Sequence, residues 1–178
     1  ASGSLTCQGD ADTCTLSRDA TGHFDYQGLG EYWSASLLAY AEAGVVPDYV
    51  GIQNNPDFVP ETITPGEGCR FLPTEGTVTV SVGGVEMSVD YPGFDQALTV
   101  VTDALSGQAW QPKIIAPETA RPGTVAHFAQ HLPFSQVDAI GHHLYGTDPT
   151  NLDQGLFQGL AELGDSAGLP LFQTEMLS

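Results

Sequence analysis

An α/β fold of the (β/α)-barrel kind is what this sequence predicts, on three observations. Segments with helical spacing of apolar residues alternate with short runs of β-forming residues along the chain. Four of those runs end on polar or acidic residues: Asn54-Asn55, Glu118, His142-His143 and Glu175. Ligands and chemistry in parallel α/β folds sit at the C-terminal mouths of strands, so four such ends converge on one rim. Third, no glycine-rich phosphate loop follows any strand, which counts against the competing doubly wound sheet.

The 178 residues suffice for one domain with a real core. Residues 1–22 are rich in Ser, Thr, Gly and Asp and read as an irregular loop. Asp25 to Ala43 carries Tyr26, Leu29, Tyr32, Trp33, Leu37, Leu38, Tyr40 and Ala41 at spacings of three and four. That pattern predicts an amphipathic helix capped by Asp25 and stopped by Gly44. Tyr49 to Gln53 is the first strand, closed by the turn residues Asn54-Asn55-Pro56-Asp57. Pro60 to Gly76 reads as a loop with a helical turn near Phe71-Leu72. Residues 77–90 alternate strictly on both sides of Gly83-Gly84, the pattern of a β-hairpin inserted into the α/β order. Phe94, Ala97, Leu98, Val101 and Leu105 mark the next helix. Strands follow at Lys113 to Ala116, Val137 to Gly141 and Leu169 to Gln173, separated by helices at Gly123 to His131 and Asn151 to Leu163.

Charge narrows the partners. There are 22 Asp and Glu against 4 Lys and Arg, a formal net charge of −18, which repels nucleic acid and anionic membranes. The acids are scattered, as on a solvated surface, and suit a secreted or salt-adapted protein or one with a neutral ligand. No apolar run is long enough to span a membrane, and no signal peptide is read at the N-terminus. Cys7 and Cys14 flank a short polar loop that a disulfide would close in an oxidising compartment; three unpaired thiols, with Cys69, are the alternative, and an odd count also allows a partner outside the chain.

The strand ends carry the chemistry. Glu175 closes Leu-Phe-Gln-Thr-Glu-Met and suits a carboxylate nucleophile for glycoside hydrolysis, with His143-Leu144-Tyr145 one strand away. A rim acid paired with His or Arg is the structural alternative. Glu118 is either a second rim acid or a cap for the helix that follows. His142 and His143 are adjacent on a strand and point to opposite faces, so they do not share a metal ion; neither a metal site nor a cofactor is expected. Trp110 and Tyr145 are candidates for stacking on sugar rings, or core aromatics.

Four motifs in order resemble glycoside hydrolase family 30. Tyr49-Val50-Gly51-Ile52-Gln53-Asn54-Asn55-Pro56-Asp57-Phe58 resembles the Ile-Gln-Asn-Glu-Pro-Asp motif on the family's fourth barrel strand. Ile-Ile-Ala-Pro-Glu-Thr, ending at Thr119, resembles its fifth strand. Val-Asp-Ala-Ile-Gly-His-His-Leu-Tyr-Gly resembles its sixth, and Leu-Pro-Leu-Phe-Gln-Thr-Glu-Met its seventh, which bears the nucleophile. Gly22-His23-Phe24-Asp25-Tyr26 resembles the connection from third strand to third helix. The resemblance implies a secreted retaining β-glycosidase on a (β/α)8 barrel, acting on β-linked oligo- or polysaccharide and most like the xylan-cleaving members. Residues 1–178 would be the middle of one catalytic domain, about its strands four to seven, with another chain or segment completing the barrel.

By motif match Glu175 is the nucleophile, Asn54 touches the 2-hydroxyl of the reacting sugar, and His143 and Tyr145 line the subsite. The family's acid/base glutamate falls at position 55, which is Asn55 here. An amide cannot donate a catalytic proton. Either activity is impaired, with Glu118 or Glu61 as stand-in acids, or the chain is a non-catalytic carbohydrate-binding pseudoenzyme.

Overall fold

The computed structural model describes residues 5–6, 15–58, 69–82, 85–145 and 153–175. Near the N-terminus β1 (Leu5–Thr6) and β2 (Thr15–Leu16) pair antiparallel, where composition predicted an irregular loop. Leu16 accounts for the difference: it is buried in the main core, and pairing satisfies the backbone groups that burial takes from water.

Helix α1 (Tyr26–Glu42) follows its expected cap. The Asp25 carboxylate accepts from Gly28 N at 2.8 Å, and Gly44 beyond the C-terminus takes φ +81°. One stripe of α1 is used: Leu29, Gly30 and Leu37 are buried, while Tyr32, Leu38 and Tyr40 stay exposed.

After β3 (Tyr49–Gly51) the hairpin forms as β4 (Gly76–Val82) and β5 (Val85–Tyr91), in register from Gly76↔Tyr91 to Val82↔Val85. The Gly83-Gly84 turn lies outside the described residues. The hairpin is a separate two-stranded sheet moored at its base. Tyr91 is buried there with the Arg70 guanidinium 4.8 Å from its ring centre. Beside it the Tyr26 hydroxyl donates to Glu75 Oε2 at 2.8 Å and accepts from Gly93 N at 2.7 Å. The helical turn expected at Phe71-Leu72 is absent, because the backbone there bonds to distant partners: Phe71 N donates to Pro56 O, and Leu72 bridges Gly93.

The chain then alternates regularly through α2 (Phe94–Leu105), β6 (Lys113–Thr119), α3 (Pro122–Ala129), a 3₁₀ turn at Phe134–Gln136, β7 (Ala139–His143), α4 (Gln154–Ala167) and β8 (Leu171–Glu175). β6 runs three residues past the expected Ala116, and β7 takes in both His142 and His143. β3, β6, β7 and β8 pair in that order as one parallel sheet, the topology that helical crossovers impose.

The sheet is curled. Tyr49 and Phe172 lie on its two edge strands, which a flat sheet would hold roughly 14 Å apart. Their rings nevertheless meet edge to face with centroids 5.4 Å apart, so the sheet bends around a concave face as part of a barrel does. Helices cover the convex face. Ile114 and Ala116 pack in one cluster with Leu29 and Leu37 of α1, Leu98 and Val101 of α2 and Phe128 of α3. Ile140 packs with Val125 of α3 and Leu160 of α4.

Leu98 is 0% exposed at the centre of this layer. Leu98→Ala should therefore cost about 2–5 kcal/mol of unfolding free energy in a denaturant titration.

Candidate active site

Parallel strands alternate their side chains between faces, and two one-residue slips reset that alternation at the rim. Pro117 pairs with Gly141 and Thr119 with His142, so Glu118 is an extra residue in β6. On the other flank of β7, Gln173 pairs with His142 and Glu175 with His143, so Thr174 is an extra residue in β8. The first slip turns Glu118, at φ +60°, onto the concave face. The second sets Glu175 rather than Thr174 opposite His143.

The two extra residues meet across β7, where Thr174 Oγ1 donates to Glu118 Oε1 at 2.9 Å. Glycines make this possible. A Cβ on Gly141 would overlap the Glu118 carboxylate, and one on Gly51 would lie 2.9 Å from Glu118 Cγ.

His143 sits at the centre, fully buried. Its Nδ1 is 2.6 Å from Asn55 Oδ1 and 3.5 Å from Glu175 Oε2. Those two oxygens, sharing one nitrogen, are therefore at most about 6 Å apart. His143 Nε2 faces Glu118 Oε2 at 3.7 Å. The Tyr145 hydroxyl donates to Glu175 Oε2 at 2.8 Å, and that acceptor pushes the phenol's pKa up. Burial raises the Glu118 carboxyl; the Thr174 hydrogen bond and the nearby His143 ring act against it, and the neighbouring Glu175 adds to it.

Asn55 takes φ +51°, and its N–H donates to Glu118 O at 3.1 Å, so both left-handed residues of the site are tied backbone to backbone. Asparagine tolerates that conformation better than most residues. Asn54 lies exposed next to it. The loop is held by a residue that sequence reasoning did not single out. Asp57 accepts from Ala120 N at 2.7 Å, Arg121 N at 3.4 Å and Thr124 Oγ1 at 2.5 Å. An acid after a turn proline was visible, but its partners lie more than sixty residues away in the chain.

The rim thus gathers Asn55, Glu118, His143, Tyr145 and Glu175. Trp110 is not brought there. It precedes β6, so the length of that strand, roughly 20 Å, separates it from Glu118, and it packs on the main core. Glu118 is not a helix cap either: Arg121 occupies that position, and the Glu118 side chain is committed to the concave face. His142 has the helix-facing parity of Ile140, and burial lowers its imidazole pKa. Among the described residues no cluster of three or more His, Cys, Asp or Glu could hold a metal ion. Cys69 is free and buried, and Cys7, Cys14 and Glu61 lie outside the described residues.

Fold and rim together define an α/β chain with a curled parallel sheet and a carboxylate–imidazole cluster at its strand C-termini. No protein-family model matches the sequence, and neither does any curated protein. Among solved structures the chain is similar to the glycoside hydrolase family 30 subfamily 8 xylanase from Clostridium acetobutylicum, at 16% identity and a TM-score of 0.54. The similarity covers 90% of this chain and 32% of that one, so the chain spans about a third of the xylanase's length. At such identity the likeness is one of fold, compatible with part of a (β/α) barrel. Among the described residues no helix is long and apolar enough to cross a membrane.

The raised Glu118 carboxyl has a testable sign. An acid whose pKa is raised in the folded state contributes fully below its unfolded value and loses that contribution as pH climbs through the folded value. Relative to Glu118→Gln, the wild-type protein should lose stability as pH rises above the ordinary 4.5, followed as urea midpoints across pH. Parallel curves for the two proteins would contradict the assignment.

Proposed function

We propose that the chain is part of a retaining β-glycosidase acting on β-linked polysaccharide of the xylan type, with Glu175 as nucleophile. The setting of Glu175 carries this proposal. Its carboxylate is gripped by Tyr145 and stands 3.5 Å from the His143 nitrogen that Asn55 also touches. Retaining enzymes hold their two catalytic groups about 5–5.5 Å apart, inverting ones about 6.5–9.5 Å. Positions 55 and 175 fall on the short side. Xylan as substrate class draws support from the fold likeness to a family 30 xylanase and from the strand motifs. The outer edges of β3 and β8 would receive the remaining strands of a barrel, and the acidic surface suits an extracellular setting.

Asn55 limits the chemistry. With no acid at position 55 to protonate the leaving oxygen, and Glu118 turned to His143, the first step is confined to aglycones that depart as stable anions. Glu175 attacks the anomeric carbon, the carbon–oxygen bond to the aglycone breaks, and a glycosyl ester is left on Glu175. With no base to activate water, that ester accumulates. By the motif match, Asn54 would meet the sugar's 2-hydroxyl.

A dinitrophenyl β-xylobioside should therefore give a burst of phenolate followed by slow turnover. Azide should speed that turnover, and Glu175→Gln should abolish the burst. Asn55→Glu should raise hydrolysis of unactivated xylo-oligosaccharides by about 10²–10⁴-fold, the usual worth of a general acid/base. Phenolate release no faster than that of Glu175→Gln would sink the enzymatic proposal. Asn55 itself favours a second reading, a carbohydrate-binding protein without turnover. Calorimetric binding of xylo-oligosaccharides with no phenolate release by wild type would select it.

A further inference from the structure

His143 has a second nitrogen that the proposed chemistry does not use. The ring is 0% exposed, so bulk solvent does not reach it. Among the described residues Nε2 has no hydrogen-bond partner at bonding distance. Its partner across the gap is Glu118 Oε2 at 3.7 Å, within an ångström of a normal hydrogen bond.

The proton positions follow from what faces each atom. Nδ1 meets two acceptors, Asn55 Oδ1 and Glu175 Oε2, so Nδ1 carries a hydrogen. In a neutral ring Nε2 is then a bare acceptor. Glu118 Oε1 already accepts from Thr174 Oγ1, which leaves Oε2 as the oxygen able to bear a proton. Other titratable groups around the ring are Glu175 from β8 and, on its own strand and just after it, His142 and Tyr145. None of them faces Nε2 at bonding distance.

We propose that Glu118 is a positioning residue: a neutral carboxylic acid whose Oε2–H donates to His143 Nε2 and fixes His143 as the Nδ1–H tautomer. The Glu118 side chain is 14% exposed and packed over Gly51 and Gly141, where a second carboxylate charge beside Glu175 would be poorly solvated. Burial holding this carboxyl above the usual range agrees with that state. The fixed Nδ1–H in turn orients Asn55, drawing its Oδ1 to the ring and leaving its Nδ2–H₂ as the donor offered to a ligand. On the glycosidase reading, on which this last consequence rests, position 55 would give the glycosidic oxygen a hydrogen bond in place of a proton.

Long-range ¹H–¹⁵N correlation spectra of the protein labelled with ¹⁵N-histidine test the proposal. The His143 signals are assigned by their loss in His143→Gln. Wild type at neutral pH should show Nδ1 protonated and Nε2 bare. Glu118→Gln should keep that pattern, because its amide donates from the same place, and Glu118→Leu should give mixed tautomers. An Nε2–H tautomer or an imidazolium in wild type would overturn the proposal, as would an unchanged pattern in Glu118→Leu. The wild-type spectrum decides the matter even where Glu118→Leu does not fold. Turnover of the activated xyloside should fall about tenfold in Glu118→Leu and be rescued in Glu118→Gln, the size expected for losing a positioning hydrogen bond. The tautomer is read without any turnover, so a protein that shows it and releases no phenolate fails only the glycosidase reading.

Discussion

Alternation is the constraint on which the rim depends. Successive residues of a strand face opposite sides, so a functional acid one step out of phase points into the helices. Glu118 and Thr174 each add one residue to the strands flanking β7 and bring the phase back. The two additions are tied to each other by the Thr174–Glu118 hydrogen bond. Glu118 stands in the left-handed region, a conformation that costs a non-glycine residue about 1–3 kcal/mol and persists only where its surroundings over-determine it. Here the surroundings do so: Thr174 donates to its carboxyl group, Asn55 N–H to its carbonyl, and two glycines open the space beneath.

Electrostatics explains why an amide sits comfortably at position 55. Two carboxyl groups already approach one buried imidazole, and the chain carries few cations, 4 Lys and Arg in all. A third carboxyl there would either lose its charge or raise the pKa of its neighbours. Asparagine adds no charge, and it accepts the left-handed backbone that the turn imposes. The amide at position 55 thus relieves both crowding and strain. A glutamate at this position gains a proton donor at the expense of both.

The strand ends were legible in the sequence because residue type and position coincide there. Glu175 follows an apolar run, as His143 does, and the hairpin announced itself through alternation around Gly83-Gly84. The slips were not legible, since Pro117-Glu118-Thr119 and Gln173-Thr174-Glu175 carry no local mark of an extra residue; only pairing with β7 defines them. Trp110 shows the converse case, in which the core alternative fits its place. An aromatic near a strand suggested a sugar platform, but it stands before β6, at the core end. Leu16 and the Phe71-Leu72 segment were misread for the same reason, their partners being remote in sequence.

Curvature and chemistry are joined on the concave face. The apolar core lies on the convex side, under the helices. What spans the hollow is a short set of contacts: Tyr49 with Phe172 deep in the face, Glu118 with Thr174 above Gly141, and Asn55 with His143 at the rim. The first joins the two edge strands across the face, the second joins β6 to β8 over β7, and the third brings the turn after β3 onto β7. Each of the two polar ties uses a group of the candidate site. A change that frees Glu118 or Asn55 therefore loosens the bend of the sheet as well as the setting of His143, and with it the contact between His143 and Glu175.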